Sequence, residues 1–186
     1  EGHKPCADVP PRSSCAVVMI VEKVQERVRL GPYQVIAKIG EGGMGAVYLT
    51  KLDGPVGFNK LAVVKELRVD LAGSRPLVEM FLNEARLAAR LTHPNVVHTY
   101  GASEEDGSLY FAMEYLDGQP WSRVRRALWR PGSLPFGLHV KVLAEVLAGL
   151  HSGHELRDYN GSALGVVHCD VSPQNVFVTY AGGVKV

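Results

Sequence analysis

An acid and an amide stand close together near the end of the chain, in the stretch VVHCDVSPQNVFV at Val166–Val178. Asp170 and Asn175 have spacing that lets them share one loop, where they could divide the work of a transfer reaction. The carboxylate would accept a proton from an attacking hydroxyl, and the amide oxygen would bind a hard divalent cation. The alternative is an ordinary turn in which both side chains bond their own backbone. His168 is another candidate base, although its apolar neighbours favour a packed core residue.

The glycine-rich segment IGEGGMGAVY is suited to phosphate binding. Gly40, Gly42 and Gly45 have the G-x-G-x-x-G spacing, which dinucleotide-binding folds share. In those folds a helix follows the glycines, whereas here the β-type run AVYLT follows. Glycines between two antiparallel strands let backbone N–H groups lie over a polyphosphate, because no Cβ blocks the approach. The alternative is a flexible hairpin without a ligand.

Two charged residues lie in apolar patterns. Lys65 ends the β-type run LAVVK, and Glu84 lies on the apolar stripe of a predicted helix. An unpaired charge is costly to bury, so we expect the two side chains to pair and the amine also to reach a phosphate. Taken singly, either side chain could extend to solvent instead.

The elements that must position these residues follow from hydrophobic periodicity. Alternating runs predict a five-stranded antiparallel sheet with one helix over residues 75–92. The runs are YQVIAKIG, AVYLTKL, KLAVVKELR, NVVHTYGAS and SLYFAMEYL. Beyond Gly118 the patterns WSRVRRALWR and GLHVKVLAEVLAGLHSGHEL predict two helices. The expected architecture is α+β, with a β-rich lobe at 31–116, an incomplete helical lobe at 117–186 and a linker or leader at 1–30.

Composition limits the partners and the setting. A formal net charge of +1 offers no broad field for nucleic acid or an anionic membrane. The longest apolar run, Cys15–Val21, is far shorter than the roughly 20 residues needed to cross a bilayer. Three cysteines without a CxxC pair predict neither a disulfide framework nor a zinc site, and they favour a reducing, cytoplasmic setting. The chain begins at Glu1 and stops at Val186 inside a strand-like segment, so we expect both ends to be cut.

Glycine loop, strand lysine, helix glutamate and an H-x-D-x-x-x-x-N loop, in that order, form the signature set of protein kinases. From Tyr33 to Val186 the sequence resembles the eukaryotic-type Ser/Thr kinases of bacteria, above all in GEGGMGAVY, HPNVV, MEYLDG and HCDVSPQN. The resemblance implies a bilobal protein-kinase-like fold, with ATP and Mg²⁺ as cofactors and protein Ser or Thr hydroxyls as acceptors. A pseudokinase, or a nucleotide- or partner-binding module without transfer activity, is the alternative.

The resemblance also implies residue roles. Asp170 would be the catalytic base and Asn175 would bind magnesium, while Lys65 would hold the α- and β-phosphates and pair with Glu84. The nucleotide site would be lined by residues of the glycine loop, the sheet, the hinge and the catalytic loop: Gly40, Glu41, Gly42, Gly43, Gly45, Val47, Val63, Lys65, Met113, Glu114, Leu116 and Phe177.

Within that set, Val47 and Val63 would form the roof over adenine and Phe177 its floor. Met113 would be the gatekeeper before a hinge. The carbonyl of Glu114 and the N–H of Leu116 would read the adenine edge.

The sequence departs from the family pattern at several points. Cys169 replaces the usual arginine, and a thiol cannot form a bidentate ion pair with an activation loop. Ser172 replaces a lysine, which predicts slower transfer but not its loss. Val186 ends the sequence where Asp-Phe-Gly should follow, so we expect this chain alone to be close to inactive.

Two further features of the catalytic region are left open. Cys169 is either an oxidisable, inactivating thiol or, the interpretation favoured by its carboxylate neighbour, a buried inert one. The segment RDYNGSALG, residues 157–165, is longer than the family's usual link into the catalytic loop.

Overall fold

The structure is a computed structural model that describes residues 29–68, 72–128 and 135–186. Most of the expected linker at 1–30, with Cys6 and Cys15, lies outside the described residues. The helices and strands follow in this order: β1 (Arg29–Leu30), β2 (Tyr33–Glu41), β3 (Gly45–Asp53), β4 (Asn59–Leu67), α1 (Arg75–Arg90), β5 (Thr99–Glu105), β6 (Ser108–Glu114), β7 (Gly118–Pro120), α2 (Trp121–Ala127), α3 (Phe136–His154), β8 (Phe177–Thr179) and β9 (Val184–Lys185).

The larger sheet is antiparallel and has six strands, in the order β1-β2-β3-β4-β6-β5. The expectation of five strands is corrected by β1, which pairs Leu30 with Tyr33 across a turn at Gly31. Leu30 is only 2% exposed and packs against Val64 and Tyr110. A two-residue strand is too short to produce a visible alternation, so the sequence pattern does not distinguish it from a linker.

Alternation along β4 divides the sheet into two faces. Ala62 and Val64 are fully buried on one face. Leu67 is buried on the other face, against Phe81 of α1. Lys65 follows the period of Leu67 and therefore lies on the face that α1 covers.

Helix α1 ends earlier than the periodicity suggested. It was expected to run to Thr92, but Leu91 already has extended backbone angles, φ −86° and ψ 118°. Phe81 and Ala85, one turn apart, are its buried residues and fix which side faces the sheet. The next strand was expected from Asn95 but begins at Thr99, because Asn95 is bonded to the helical lobe instead.

The helical lobe packs α2 and α3 against a three-stranded sheet, β7-β8-β9. Its core is formed by Trp121, Val142, Val146, Val176 and Val184. Within the described ranges, no helix is both long and apolar enough to cross a membrane.

The two lobes meet through the connection between α1 and β5. The Asn95 amide donates to Glu145 of α3 at 3.2 Å and to the carbonyl of Val184 at 2.8 Å. A Cβ on Gly149 of α3 would lie 2.7 Å from the carbonyl oxygen of Asn95, so the close approach requires glycine there. The base of the β-rich lobe is thereby fixed on α3.

Candidate active site

A lysine and a glutamate from different elements meet beside the sheet. Lys65 Nζ lies 2.7 Å and 2.9 Å from the two carboxylate oxygens of Glu84. The predicted pairing is therefore present in the folded chain. The side chains are 22% and 45% exposed, respectively, so the pair lines an open edge of the lobe and is not part of its core. Enough of the amine faces outward for a further anionic partner.

Strand register places the expected adenine contacts beside that amine. Val47 is directly opposite Lys65, and Val63 is opposite Met113. Directly opposite residues of an antiparallel pair project from the same face of a sheet. Val47, Val63, Lys65 and Met113 therefore share one face.

The glycine segment forms a tight turn between β2 and β3, in which Gly42 N–H donates to the carbonyl of Gly45 at 2.8 Å. A Cβ on Gly45 would lie 2.2 Å from the Glu66 carbonyl oxygen, so strand packing alone requires glycine there. A Cβ on Gly42 or Gly43 would meet nothing within 4 Å, and neither residue has a left-handed φ. Neither packing nor backbone geometry accounts for these two glycines, whereas close approach of a ligand would.

Glu41, at the end of β2, is turned along its own strand. Lys38 Nζ lies 2.6 Å from its carboxylate. The hydrogen bond from Lys38, followed by the lysine charge, holds the pKa of Glu41 below its usual value. Because Lys38 balances this exposed carboxylate, Glu41 repels an anion beside the glycine turn less than a lone acid would.

Asp170 and Asn175 are joined in one loop. The Asn175 amide nitrogen donates to Asp170 Oδ2 at 2.8 Å and to the Asp170 carbonyl at 3.0 Å. Asn175 N–H donates to the Ser172 carbonyl at 2.9 Å, which closes the turn. Since the amide nitrogen is committed to Asp170, the Asn175 amide oxygen is the atom that could bind a cation. The loop thus combines the turn and the paired acid and amide that the sequence left as alternatives.

Two expectations about the start of this loop are wrong. His168 is exposed and its neighbour Val167 is 67% exposed, so His168 is not a packed core residue. Cys169 is exposed rather than buried, and its thiol donates to the Val167 carbonyl at 3.4 Å. The apolar run was misleading because the residues that pack into the core of the helical lobe, Val176 and Val178, lie at the far end of the stretch.

Cys169 also has an unusual backbone conformation. Its φ is +61°, in the left-handed region that residues with a side chain rarely adopt. The conformation sits directly before Asp170, whose N–H donates to the His168 carbonyl at 2.8 Å. Backbone strain of this kind concentrates at functional sites, where surrounding bonds hold it in place.

The end of β6 carries a contact that sequence reasoning missed. The Glu114 carboxylate accepts from Lys185 Nζ at 2.5 Å and from His98 N–H at 2.7 Å. Lys185 also donates to the Val96 carbonyl at 3.1 Å. The available signal was a lysine inside the short apolar strand GGVKV, the same kind of signal that identified Lys65.

The remaining expected residues lie just after β6 and in the helical lobe. Leu116 is half-buried after β6, and Phe177 is half-buried in β8, opposite Pro120 of β7. Within the described parts of the chain, no hydrogen bond or ion pair joins the Lys65–Glu84 pair to the Asp170–Asn175 loop. The structure therefore forms two half-sites, one on each lobe.

Glu145 is a second acid whose importance only the structure reveals. It pairs with Lys141 and accepts from Asn95 and from the Val184 N–H at 3.0 Å. The hydrogen bond from Lys141 is the main reason that the pKa of Glu145 is lowered. This carboxylate joins α3, β9 and the α1–β5 connection.

A magnesium ion would suit the catalytic loop only with help from a nucleotide. Among the described residues no three His, Cys, Asp or Glu side chains cluster as a metal site. Magnesium is commonly held by one or two protein oxygens, with phosphates and water completing its shell. The Asn175 amide oxygen, on the side chain whose nitrogen donates to Asp170, is the protein oxygen that this loop could offer to the ion.

A curled antiparallel sheet with one helix, a lysine–glutamate pair and a loop with an acid and an amide are the parts of a protein kinase domain. The Protein kinase domain family matches residues 33–186. The chain belongs to this family.

Curated relatives are bacterial kinases. The chain is 41% identical over 157 residues to the tyrosine-protein kinase MasK of Myxococcus xanthus, covering 84% of this chain and 24% of MasK. It is 34% identical over 161 residues to the serine/threonine-protein kinase PksC of Streptomyces coelicolor, covering 84% of this chain and 27% of PksC. The chain thus spans about a quarter of the length of these relatives.

Solved structures of protein kinase domains resemble this fold. The crystal structure of the Mycobacterium tuberculosis PknI kinase domain superposes with a TM-score of 0.67 at 29% identity. The match covers 86% of this chain and 60% of that one. The fold is therefore the protein kinase fold, represented here by the β-rich lobe and part of the helical lobe.

Proposed function

We propose that this chain provides the nucleotide-binding and catalytic-loop portion of an ATP-dependent protein serine/threonine kinase. The observation that carries the proposal is the ion pair between Lys65 and Glu84, at 2.7 Å, on the sheet face that also bears Val47. In the family such a pair holds the lysine against the nucleotide phosphates. The nucleotide would lie between this face and the catalytic loop, with 31–116 as the ATP-binding lobe and 117–186 as part of the substrate lobe.

The glycine turn and the sheet would bind the nucleotide. Backbone N–H groups of the segment from Gly40 to Gly45, which includes Glu41 and Gly43, would lie over the phosphates. The two valines of the shared face, Val47 and Val63, would cover adenine. Met113 would limit the depth of the pocket, and Glu114 and Leu116 would offer backbone groups to the base.

The catalytic loop would act on the acceptor. Asp170 would take the proton of the attacking hydroxyl, with its carboxylate orientation fixed by the Asn175 amide at 2.8 Å. Asn175 would offer its amide oxygen to magnesium, whose bound form neutralises charge on the transferring phosphoryl group. Phe177, two residues after Asn175, would contact the base from below.

Serine and threonine acceptors are proposed because several relatives, including PksC and PrkC of Bacillus subtilis, are named serine/threonine-protein kinases. A tyrosine acceptor is the competing assignment, since MasK is named a tyrosine-protein kinase. ATP supply and an exposed thiol at Cys169 favour a reducing cytoplasmic setting.

A nucleotide-binding module without transfer is the second candidate. Cys169 and Ser172 stand where the family pattern has cations, and the chain contains no Asp-Phe-Gly. Fewer fixed charges would stabilise the transition state less. We therefore assign transfer to a polypeptide that contains a whole kinase domain, and expect the 186-residue chain alone to bind nucleotide with little turnover.

The test uses γ-labelled ATP and a generic protein substrate, with a polypeptide that contains this chain and a complete kinase domain. Label on serine and threonine that disappears in Asp170→Asn is the expected result. Label on tyrosine alone would refute the acceptor assignment. Absent label, combined with a rise in melting temperature on adding Mg-ATP, would favour the binding module.

A further inference from the structure

The segment at 157–165, which the catalytic machinery leaves unexplained, folds into a closed hairpin. Arg157 and Ala163 form a β-bridge, and Leu164 N–H donates to the Leu156 carbonyl at 2.9 Å. Asp158 Oδ1 accepts from two backbone N–H groups within the turn, those of Asn160 and Ser162, each at 2.8 Å. The 157–165 hairpin is thus held by its own hydrogen bonds and is rigid enough to restrain an element that it contacts.

The hairpin contacts α1 at Arg90. Arg90 Nη2 donates to the Arg157 carbonyl. The same guanidinium lies over the Tyr159 ring, 4.7 Å from its centroid. A planar guanidinium can donate in its plane and stack on an aromatic ring with its face, which a lysine cannot do.

Tyr159 has little other reason to be aromatic. Its side chain is 94% exposed at the tip of the hairpin, so it contributes nothing to a hydrophobic core. Arg157, two residues earlier, turns back into the hairpin and donates to the Gly161 carbonyl at 2.9 Å. Contact with Arg90 is the interaction that the structure gives to the ring.

Arg90 is the last residue of α1, the helix that carries Glu84. At a rise of about 1.5 Å per residue, the two lie about 9 Å apart along the helix axis. The buried residues of α1, Phe81 and Ala85, lie before this last turn. A contact at Arg90 therefore restrains the tilt of α1 at its C-terminal end, beyond the two residues that the sheet buries.

We propose that Arg90 and Tyr159 are positioning residues: the 157–165 hairpin holds the end of α1, and through α1 it sets the distance between Glu84 and Lys65. The hairpin leads directly into the loop with Asp170, so the same clamp couples α1 to the catalytic loop. This inference rests on the proposed function, since the consequence of a correctly placed pair is nucleotide binding.

The test compares variants of a polypeptide that contains this chain and a complete kinase domain. Tyr159→Ala removes the ring, while Tyr159→Phe keeps it and serves as the conservative rescue. Asn160→Ala, an exposed position in the same turn, is the matched control. Arg90→Lys keeps the charge but loses the planar stack.

Two measurements are made on each variant: hydrogen exchange of the α1 amides, and the Kd for Mg-ATP by calorimetry. In Tyr159→Ala and Arg90→Lys we expect faster exchange in the last turns of α1 and weaker binding, each by about two- to fivefold, the range that one exposed cation–π contact supports. Tyr159→Phe and Asn160→Ala should match the wild type in both measurements.

Unchanged α1 exchange in Tyr159→Ala would overturn the inference. The proposed function would stand, provided that the wild type binds Mg-ATP. Faster α1 exchange in Tyr159→Ala with an unchanged Kd would also overturn the inference. The hairpin would then restrain α1 without affecting the Lys65–Glu84 pair or nucleotide binding. If the wild-type polypeptide with the complete kinase domain binds no Mg-ATP, the proposed function is refuted, and the positioning role with it.

Discussion

Replacing two glycines of the same turn separates a packing role from a ligand role. In Gly45→Ala the new Cβ would lie 2.2 Å from the Glu66 carbonyl oxygen, a backbone atom that cannot move aside without shifting β4. Such overpacking costs about 1–3 kcal/mol of the free energy of unfolding. In a domain of this size, a loss of 1 kcal/mol lowers Tm by about 2–4 °C.

Gly42→Ala should behave in the opposite way. Its Cβ would meet nothing within 4 Å, and the residue does not use a left-handed φ. Because alanine restricts the unfolded chain more than glycine, stability should stay level or rise by up to about 1 kcal/mol. Nucleotide affinity should nevertheless fall, since the methyl group occupies the space that a phosphate would approach.

The loss of affinity can be sized from the contact at risk. A hydrogen bond to a charged group contributes about 1.5–3 kcal/mol, so loss of one backbone N–H to phosphate bond weakens Kd by about ten- to a hundredfold. Denaturant unfolding gives the stability, and calorimetry with Mg-ATP gives the Kd. If Gly42→Ala binds Mg-ATP as tightly as the wild type, the turn is only a hairpin and the ligand argument for Gly42 is refuted.

Three other predictions concern the charged contacts. Lys65→Met should change the free energy of unfolding by less than about 1 kcal/mol, because its pairing with Glu84 is partly exposed, yet abolish Mg-ATP binding; a stable variant that still binds would contradict the role. Because the pKa of Glu145 is lowered in the folded chain, its ionised carboxylate stabilises the fold above pH 4.5, its ordinary pKa, and this contribution is lost as the pH falls below that value. In Glu145→Gln the free energy of unfolding should therefore fall less steeply with decreasing pH. Identical pH dependence in the two proteins would contradict this role. Lys185→Met leaves the half-buried Glu114 carboxylate without its cation and should lower stability by about 1–3 kcal/mol in denaturant titrations, an effect that Glu114→Gln in the same chain should reduce.

Much of the fold is readable from local pattern. The alternation around Val64 and the helical spacing through Phe81 each predict an element and its buried side, and the glycines around Gly42 predict a turn. The pairing of Lys65 with Glu84 was predictable for a related reason, because a charge in an apolar pattern requires a partner. The predicted ends of helices and strands were less accurate. β5 starts late, for example, because Asn95 is hydrogen-bonded to the helical lobe and does not pair in the sheet.

The sequence by itself determined the order of β2–β6 and the three helices, the residue types of the two half-sites and the family to which they point, since these follow from the periodicity and spacing of nearby residues. Only the tertiary structure decided that β1 joins the sheet, that His168 and Cys169 are exposed, and that Glu114 meets Lys185. It also decided that Arg90 meets Tyr159. These outcomes depend on contacts between residues far apart in the chain, which local pattern does not encode, and on which side of a loop the core occupies.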